Sequence, residues 1–372
     1  LWIFSNEIEK ISGQPSNGDI VNIYNWKENF LGAAFFNKNS LISGRIISKN
    51  PVTDLKEFFT ERFLQAQRLR NEFYPHRNSF RLIFSEGDLL PGLVIDKYNN
   101  TFVLQVYSYG MNANLNIICE ILKEKFSAEN IFTKNEPYFR TLEGLPVEDE
   151  VLYGKISEEV IDDGSLKFRI NFQSAHKTGF YFDQTDNRFF IERLVKDKSV
   201  LDAFCNSGGF GLHSAKAGAA SVTFVDSSAE EINNARYNYS LNNFNQPAEF
   251  IDADVFDYLE KCITENKKFD VVIIDPPAFA KSKKNLPQAK KGYEKLNRLA
   301  LQVTAENGFL VTSSCSHHLS KEEFIQIINN AAQKTGSAVQ LNHFNTASFD
   351  HPELPAMKET SYLKFAVVRK LQ

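Results

Sequence analysis

Five side chains suited to chemistry stand at matching places in the C-terminal half of this chain: Asp202, Asp226, Asp254, Asp275 and Cys315. Each follows or closes a short apolar run, the kind of run that becomes a buried strand. A carboxylate can hold an ammonium group or pair with two hydroxyls. A thiolate is a strong nucleophile when polar or positive surroundings favour it.

Asp202 lies in "VLDAFCNSGGFG" (200–211), just ahead of a glycine-rich turn into a helix. In doubly wound sheets, ligands sit at the carboxyl ends of the strands. Asp202 can take an ammonium group there. Asp226 closes "VTFVD" and can read ribose hydroxyls through a bidentate hydrogen bond. Asp254, in "FIDADVFDY", is placed for an adenine amino group. An ammonium reader, a ribose reader and an adenine reader in sheet order describe S-adenosylmethionine. Each acid alone also fits a helix N-cap, which is common at strand–helix junctions. Three in register beside a glycine-rich turn favour the ligand. Phe204, Asn206 and Gly208 in the turn, Ser227 and Val255 beside the next two acids, and Pro276 complete the expected cofactor wall. Gly209-x-Gly211-x-x-Ser214 is a near miss to a dinucleotide fingerprint, with serine in place of the last glycine.

"FDVVIIDPPAF" (269–279) runs into Asp275-Pro276-Pro277. Two prolines cannot continue a ladder, and they stiffen the exit so that Asp275 faces the pocket. Pro277 and Phe279 are expected to meet the substrate. Phe279 could stack on a flat base, as aromatics do around extruded nucleotides, and core packing is its alternative. Cys315 ends "GFLVTSSC" on what should be the adjacent strand, so both ends point into one crevice. Thiolate addition to C6 of a pyrimidine would make C5 nucleophilic, with Asp275 on the N3 edge. The competing readings of Cys315 are an inert buried thiol and a zinc site with His317 and His318. The zinc site would need a fourth ligand, and no second Cys/His knuckle is visible. No metal is expected.

These residues need a scaffold, and the chain supplies one. From about 173 onward, β-branched runs alternate with helical segments, the pattern of a parallel sheet covered on both faces. The expected class is α/β there. Residues 1–53 read as short strands of a small β-barrel-like module. Residues 54–172 open with a capped helix and read as a hairpin-rich α+β segment, with Asn99-Asn100 as a hairpin turn.

With 372 residues, two or three domains are expected. A net charge of −4 excludes a uniformly basic nucleic-acid binder, so any such partner must meet a local patch. "KSKKNLPQAKKGYEK" (281–295) holds six lysines against one glutamate and is that patch. Lys283, Lys284, Lys290 and Lys291 are the expected phosphate contacts, and a solvated helix face is the alternative. No apolar run approaches the roughly 20 residues of a membrane helix. The four cysteines, Cys119, Cys205, Cys262 and Cys315, show no disulfide-framework spacing, which suits reduced thiols in the cytoplasm. The opening segment lacks the features of a secretory signal. The chain begins at Leu1, so an N-terminal portion is expected to be missing.

Seven stretches together resemble the bacterial and archaeal large-subunit ribosomal RNA 5-methylcytosine methyltransferases: "LWIFSNEI", "SEGDLLPGLVIDKYNNTFVLQ", "HKTGFYFDQTDNR", "VLDAFCNSGGF", "FDVVIIDPPAF", "GYEKLNRLA" and "SSCS". The resemblance implies a PUA-like RNA-binding domain at 1–53, a central α+β domain at 54–172 and a Rossmann-like methyltransferase domain at 173–372. In that family a short basic segment precedes the opening stretch, and its absence here implies a missing first strand. The resemblance also implies that Lys177, Thr178, Gly179, Tyr181, Asp183 and Gln184 line the cofactor pocket. Ribosomal RNA, free or in an early assembly particle, is the implied partner, and a homodimer is left open. Related domains methylate the guanine amino group with a similar Asp-Pro-Pro motif, which gives an alternative activity without a thiolate.

Overall fold

The computed structural model describes all residues except Ala175, His176, Lys281 and Gln372. The chain folds into two compact units. One comprises Leu1–Gly164, Ile170–Phe182 and Phe349–Thr360; the other comprises Ser165–Arg169, Asp183–Ser348 and Ser361–Gln372.

In the first unit, strands β1 (Trp2–Phe4), β2 (Ile20–Tyr24), β3 (Phe30–Phe36) and β4 (Ile42–Ser48) form an antiparallel sheet of order β1-β4-β3-β2. Helix α1 (Leu55–Phe73) follows. Asp54 caps it by accepting the Glu57 N–H at 2.9 Å, and Phe59, Phe63, Ala66 and Arg70 form its buried stripe. A second sheet runs in chain order through β5 (Ser79–Phe84), β6 (Leu93–Tyr98), β7 (Thr101–Val106), β8 (Asn130–Thr133) and β9 (Val151–Tyr153). The β6–β7 turn is Asn99-Asn100 as expected, with Asn99 in the left-handed region at φ 51°. Helices α2 (Tyr109–Ala113) and α3 (Leu115–Phe126) make the crossover that lets β7 and β8 run parallel. Helix α4 is Pro137–Glu143. Two further strands, β10 (Glu158–Asp162) and β11 (Lys167–Asn171), pair with each other.

The two units cut across the expected boundary at 173: Ser165–Arg169 belongs to the second unit, while Ile170–Phe182 and Phe349–Thr360 belong to the first. Arg70 donates to the Asp350 carbonyl at 2.8 Å, and the Arg81 N–H donates to the Asp350 carboxylate at 2.9 Å. Phe349 stacks on Phe73 with centroids 4.0 Å apart. These partners are far away in sequence, so no local pattern announces them.

The second unit opens with α5 (Thr185–Ile191). Strands and helices then alternate: β12 (Ser199–Ala203), α6 (Gly209–Lys216), β13 (Ser221–Asp226), α7 (Ala229–Leu241), β14 (Ala248–Asp252), α8 (Val255–Thr264), β15 (Phe269–Ile274), α9 (Leu286–Val303), β16 (Thr304–Ser314), α10 (Lys321–Thr335), β17 (Val339–Asn345) and β18 (Lys364–Lys370). The sheet order is β14-β13-β12-β15-β16-β18-β17, with β18 antiparallel to both neighbours. This is a Rossmann-like fold. The order reverses between β12 and β15, which is where such sheets open a crevice. Leu201, Val272, Ile274 and Leu310 of the strands pack with Tyr293, Leu296 and Ala300 of α9 and Phe324 of α10 in one core. No helix among the described residues is long and apolar enough to cross a membrane.

Candidate functional site

The expected residues of the second unit gather at the carboxyl ends of β12 to β16. Asp202 is fully buried near the end of β12. One of its oxygens accepts the Gly211 N–H at 2.7 Å. The other is buried with no hydrogen-bond partner among the described residues. Burial, with a smaller contribution from Asp275, pushes this carboxyl up to about 7, against the pull of the Gly211 N–H. An open acceptor on a buried acid fits an ammonium ligand, because a cation would supply the missing partner and restore the ionised form.

The glycines of the turn have separate reasons. Gly208 caps α6 at φ 89°. A Cβ on Gly211 would lie 2.1 Å from the Phe224 ring, so glycine lets α6 approach β13. Phe204 and Asn206 also take positive φ, at 61° and 48°. Phe204 packs partly against the core, and Cys205 is buried with its thiol pushed well up by burial.

Asp226 closes β13, as expected. Its two oxygens accept the N–H groups of Asn206 and Ser228, each at 3.0 Å. It therefore pins the turn after β12. The cap of α7 is Ser228, whose hydroxyl accepts the Glu231 N–H. Ser227 is exposed beside it. Asp254 lies two residues beyond β14 and caps α8, with one oxygen accepting from Phe256 at 2.8 Å and Asp257 at 3.2 Å. The capping alternative thus describes Asp254, whose exposed carboxylate keeps its second oxygen for other use. The Val255 side chain is buried in the core, so only its backbone can meet a ligand.

Asp275 follows β15. Gln184, itself buried, donates to the Asp275 carboxylate at 2.9 Å and to the Ser313 hydroxyl at 3.2 Å, and accepts from Asn187 at 2.7 Å. Burial, then the neighbouring Asp183, push Asp275 up to about 7, while Arg188 and hydrogen bonding from Gln184 and Ser313 pull the other way. Asp183 accepts the Tyr362 hydroxyl at 2.6 Å through one oxygen, and its other oxygen is buried without a hydrogen bond among the described residues. Arg188 is buried under the turn, where a Cβ on Gly209 would lie 2.5 Å from its Nε. Arg188 and Tyr362 escaped the sequence reading. Arg188 closes the quoted stretch 176–188 but carries no role there by sequence, and Tyr362 lies in no quoted stretch; each acquires its place only through contacts distant in sequence.

Cys315 follows β16, which pairs in parallel with β15 through Ile274 and Thr312. Its thiol donates to the Pro276 carbonyl at 4.0 Å. Ser316, next in the chain, is buried against Tyr293, oxygen to oxygen at 3.0 Å. Phe279 lies half-buried with its ring centre 4.5 Å from that of Tyr293, so core packing accounts for much of it. Pro276 is buried and Pro277 exposed. Lys283, Lys284 and Lys291 are exposed, whereas Lys290 pairs with Glu323 at 2.6 Å. The basic patch is therefore smaller than its sequence, and Lys281 falls outside the described residues. Among the described residues, no group of three or more His, Cys, Asp or Glu is arranged to hold a metal ion.

Lys177, Thr178, Gly179 and Tyr181 belong to the first unit. There Lys177 lies 5.4 Å from the Tyr181 ring centre, Thr178 is buried, and Gly179 takes φ 124°. His176 of the same stretch is outside the described residues.

Comparison with known proteins agrees with this architecture. A PUA-like domain family matches residues 1–49, and the family described as Conserved hypothetical protein 95 matches residues 178–344. A Streptococcus mutans protein described as a SAM-dependent methyltransferase shares the fold, with a TM-score of 0.81 over 99% of this chain and 95% of that one at 20% identity. A protein described as a methyltransferase and crystallised with SAH superposes with a TM-score of 0.84 at 21% identity, covering 99% and 95% of the two chains. In sequence, the chain is 38% identical over 370 residues to the Ribosomal RNA large subunit methyltransferase I of Vibrio parahaemolyticus, covering 98% of this chain and 93% of that protein. The Aliivibrio fischeri protein of the same name is 39% identical over 371 residues, with the same coverage. On that identity and coverage, the chain belongs to the ribosomal RNA large subunit methyltransferase I family.

Proposed function

We propose that this chain uses S-adenosylmethionine to form 5-methylcytosine in large-subunit ribosomal RNA, with Cys315 as the nucleophile. The observation that carries the reading is the meeting of Cys315 with the Asp275-Pro276 exit, the thiol lying 4.0 Å from the Pro276 carbonyl. Asp202, Asp226 and Asp254 would hold the cofactor, and the open oxygen of Asp202 suits its ammonium group. When bound, S-adenosylmethionine supplies an electrophilic methyl group on a sulfonium.

The chain's own part is to activate the base. The Cys315 sulfur bonds to C6 of cytosine, and the electron pair displaced from the C5–C6 double bond makes C5 nucleophilic. Charge also builds toward N3. Asp275, with its carboxyl raised to about 7, can carry a proton at neutral pH and offer it to that edge. After C5 has gained its methyl, the C5 proton passes to water, its bonding pair restores the C5–C6 double bond, and the C6–S bond breaks with its pair leaving on the thiolate. Lys283, Lys284 and Lys291 would grip phosphates near the reacting base.

Mass spectrometry of ribosomal RNA nucleosides from cells with and without the gene tests the reading. Loss of 5-methylcytidine is expected. Loss of an N2-methylguanosine instead would move the activity to the exocyclic amine, where no thiolate is needed.

A further inference from the structure

Tyr293 of α9 joins two loops of the candidate site. Its side chain is fully buried, on the helix face it shares with Ala289, Leu296 and Ala300. Packing there needs only a ring, and phenylalanine is the ring this chain uses by default, 33 times against 13 for tyrosine. A hydroxyl carried into a core costs stability unless it finds partners. Tyr293 finds them on the exits of both β15 and β16.

The hydroxyl oxygens of Tyr293 and Ser316 lie 3.0 Å apart, and one donates to the other. Ser316 is fully buried and directly follows Cys315. Its hydroxyl accepts the Ala280 N–H at 3.3 Å, and its own N–H donates to the Ser314 hydroxyl at 3.3 Å. The Tyr293 hydroxyl also accepts the Phe279 N–H over a long 3.5 Å. The Phe279 ring lies against the same turn of α9, its centre 4.5 Å from that of Tyr293, and a Cβ on Gly292 would lie 3.2 Å from it. Burial raises the Tyr293 phenol above its ordinary range, against hydrogen bonding from Ser314, Ser316 and the Phe279 N–H, so it keeps its proton to donate at neutral pH.

The backbone does not make this connection. The parallel ladder between β15 and β16 ends at Ile274 and Thr312. Pro276 and Pro277, which follow Asp275, have no N–H to give. The two hydroxyls therefore bridge what the ladder leaves open, from Phe279-Ala280 on one side to Ser316 on the other.

We infer that Tyr293, acting through Ser316, is a positioning residue that fixes the exit of β16, and with it Cys315, against the Pro276–Ala280 exit of β15. The inference rests on Cys315 being the nucleophile.

The test is single-turnover trapping of the full-length protein, with S-adenosylmethionine, on large-subunit ribosomal RNA transcribed with 5-fluorocytidine, read by denaturing electrophoresis. Tyr293→Phe keeps the ring and removes only the hydroxyl. Its trapping rate, and its kcat for methyl transfer to unmodified RNA, should fall about ten- to hundredfold, the scale of a misplacement of up to about 1 Å. Its KM for RNA and its calorimetric affinity for S-adenosylmethionine should stay at the wild-type values. A core role alone would lower the melting temperature and leave the rates of the folded protein unchanged. Ser316→Ala should show the same split, and the double variant should be no slower than the slower single variant, because both changes cut one link. Trapping at the wild-type rate in Tyr293→Phe, or losses that multiply in the double variant, overturns the inference. Should Tyr293→Phe lose its cooperative thermal melt, Ser316→Ala decides: slow trapping supports the link, and wild-type trapping removes it. A wild type that forms no adduct would instead overturn the nucleophile reading, and the inference with it.

Discussion

The thiol of Cys315 and the carbonyl of Pro276 meet at 4.0 Å across the exits of two paired parallel strands. Neither strand could place both groups alone. If the sulfur adds to C6, Cys315→Ala should keep its affinity for S-adenosylmethionine and RNA, since the small side chain contributes little to ground-state binding. Methyl transfer should drop to background, a loss confined to the transition state. RNA carrying 5-fluorocytosine should stay covalently attached to the wild type, because fluorine cannot leave as a proton. The mutant should form no adduct. Denaturing electrophoresis with labelled RNA reads both outcomes, and methylation by the mutant would sink the mechanism.

Asp226 accepts the Asn206 and Ser228 N–H groups in this structure, and holding the cofactor ribose is its proposed further task. A charged hydrogen bond is worth about 1.5–3 kcal/mol. Asp226→Ala should therefore weaken cofactor binding about ten- to hundredfold by calorimetry. Unchanged affinity would leave Asp226 as a turn-pinning residue alone.

Asp202 links the site to stability. Its carboxyl titrates at about 7 in the folded chain against a reference of 3.8. Between those values the native state holds more protons than the unfolded state, so this residue's contribution falls as pH rises from about 4 to 7 and stays low above that. Asp202→Asn removes the buried charge. The melting temperature of the cofactor-free variant should exceed that of the wild type at pH 8, by the equivalent of about 1–3 kcal/mol, and converge with it near pH 4. Cofactor affinity should fall in the same variant. A less stable variant at pH 8 would show that Asp202 is not a stored cost relieved by a cationic ligand.

Wild-type cofactor affinity should itself weaken on acidification below about pH 7, since a protonated Asp202 cannot pair with an ammonium group. The decline should approach tenfold per pH unit if Asp202 alone governs it. A flat profile from pH 8 to pH 6 would separate Asp202 from the cofactor.

Lys283, Lys284 and Lys291 are exposed, whereas Lys290 is paired with Glu323. Changing the first three to glutamine should weaken RNA binding and flatten its salt dependence by about one slope unit per lost phosphate contact, leaving cofactor affinity intact. Lys290→Gln alone should do much less. An unaltered salt slope in the triple variant would reduce the patch to a solvated helix face.

The alternation of strands and helices, the acids at the strand ends and the glycine-rich turn were legible in sequence, because burial period and turn chemistry are local properties. The same locality limited the reading. An acid after a strand reads alike whether it caps a helix, as Asp254 does, or keeps a buried oxygen open, as Asp202 does. Gln184 meets Asp275, and Tyr362 meets Asp183, only once residues far apart in the chain are brought together. Phe349–Thr360 lies inside the segment assigned by sequence to the last domain, yet its partners Arg70, Phe73 and Arg81 belong to the first unit. Sequence periodicity determines which face of an element is buried. Which partner satisfies a buried charge is decided by tertiary packing, because desolvation makes each such group depend on whatever the fold sets within hydrogen-bond reach.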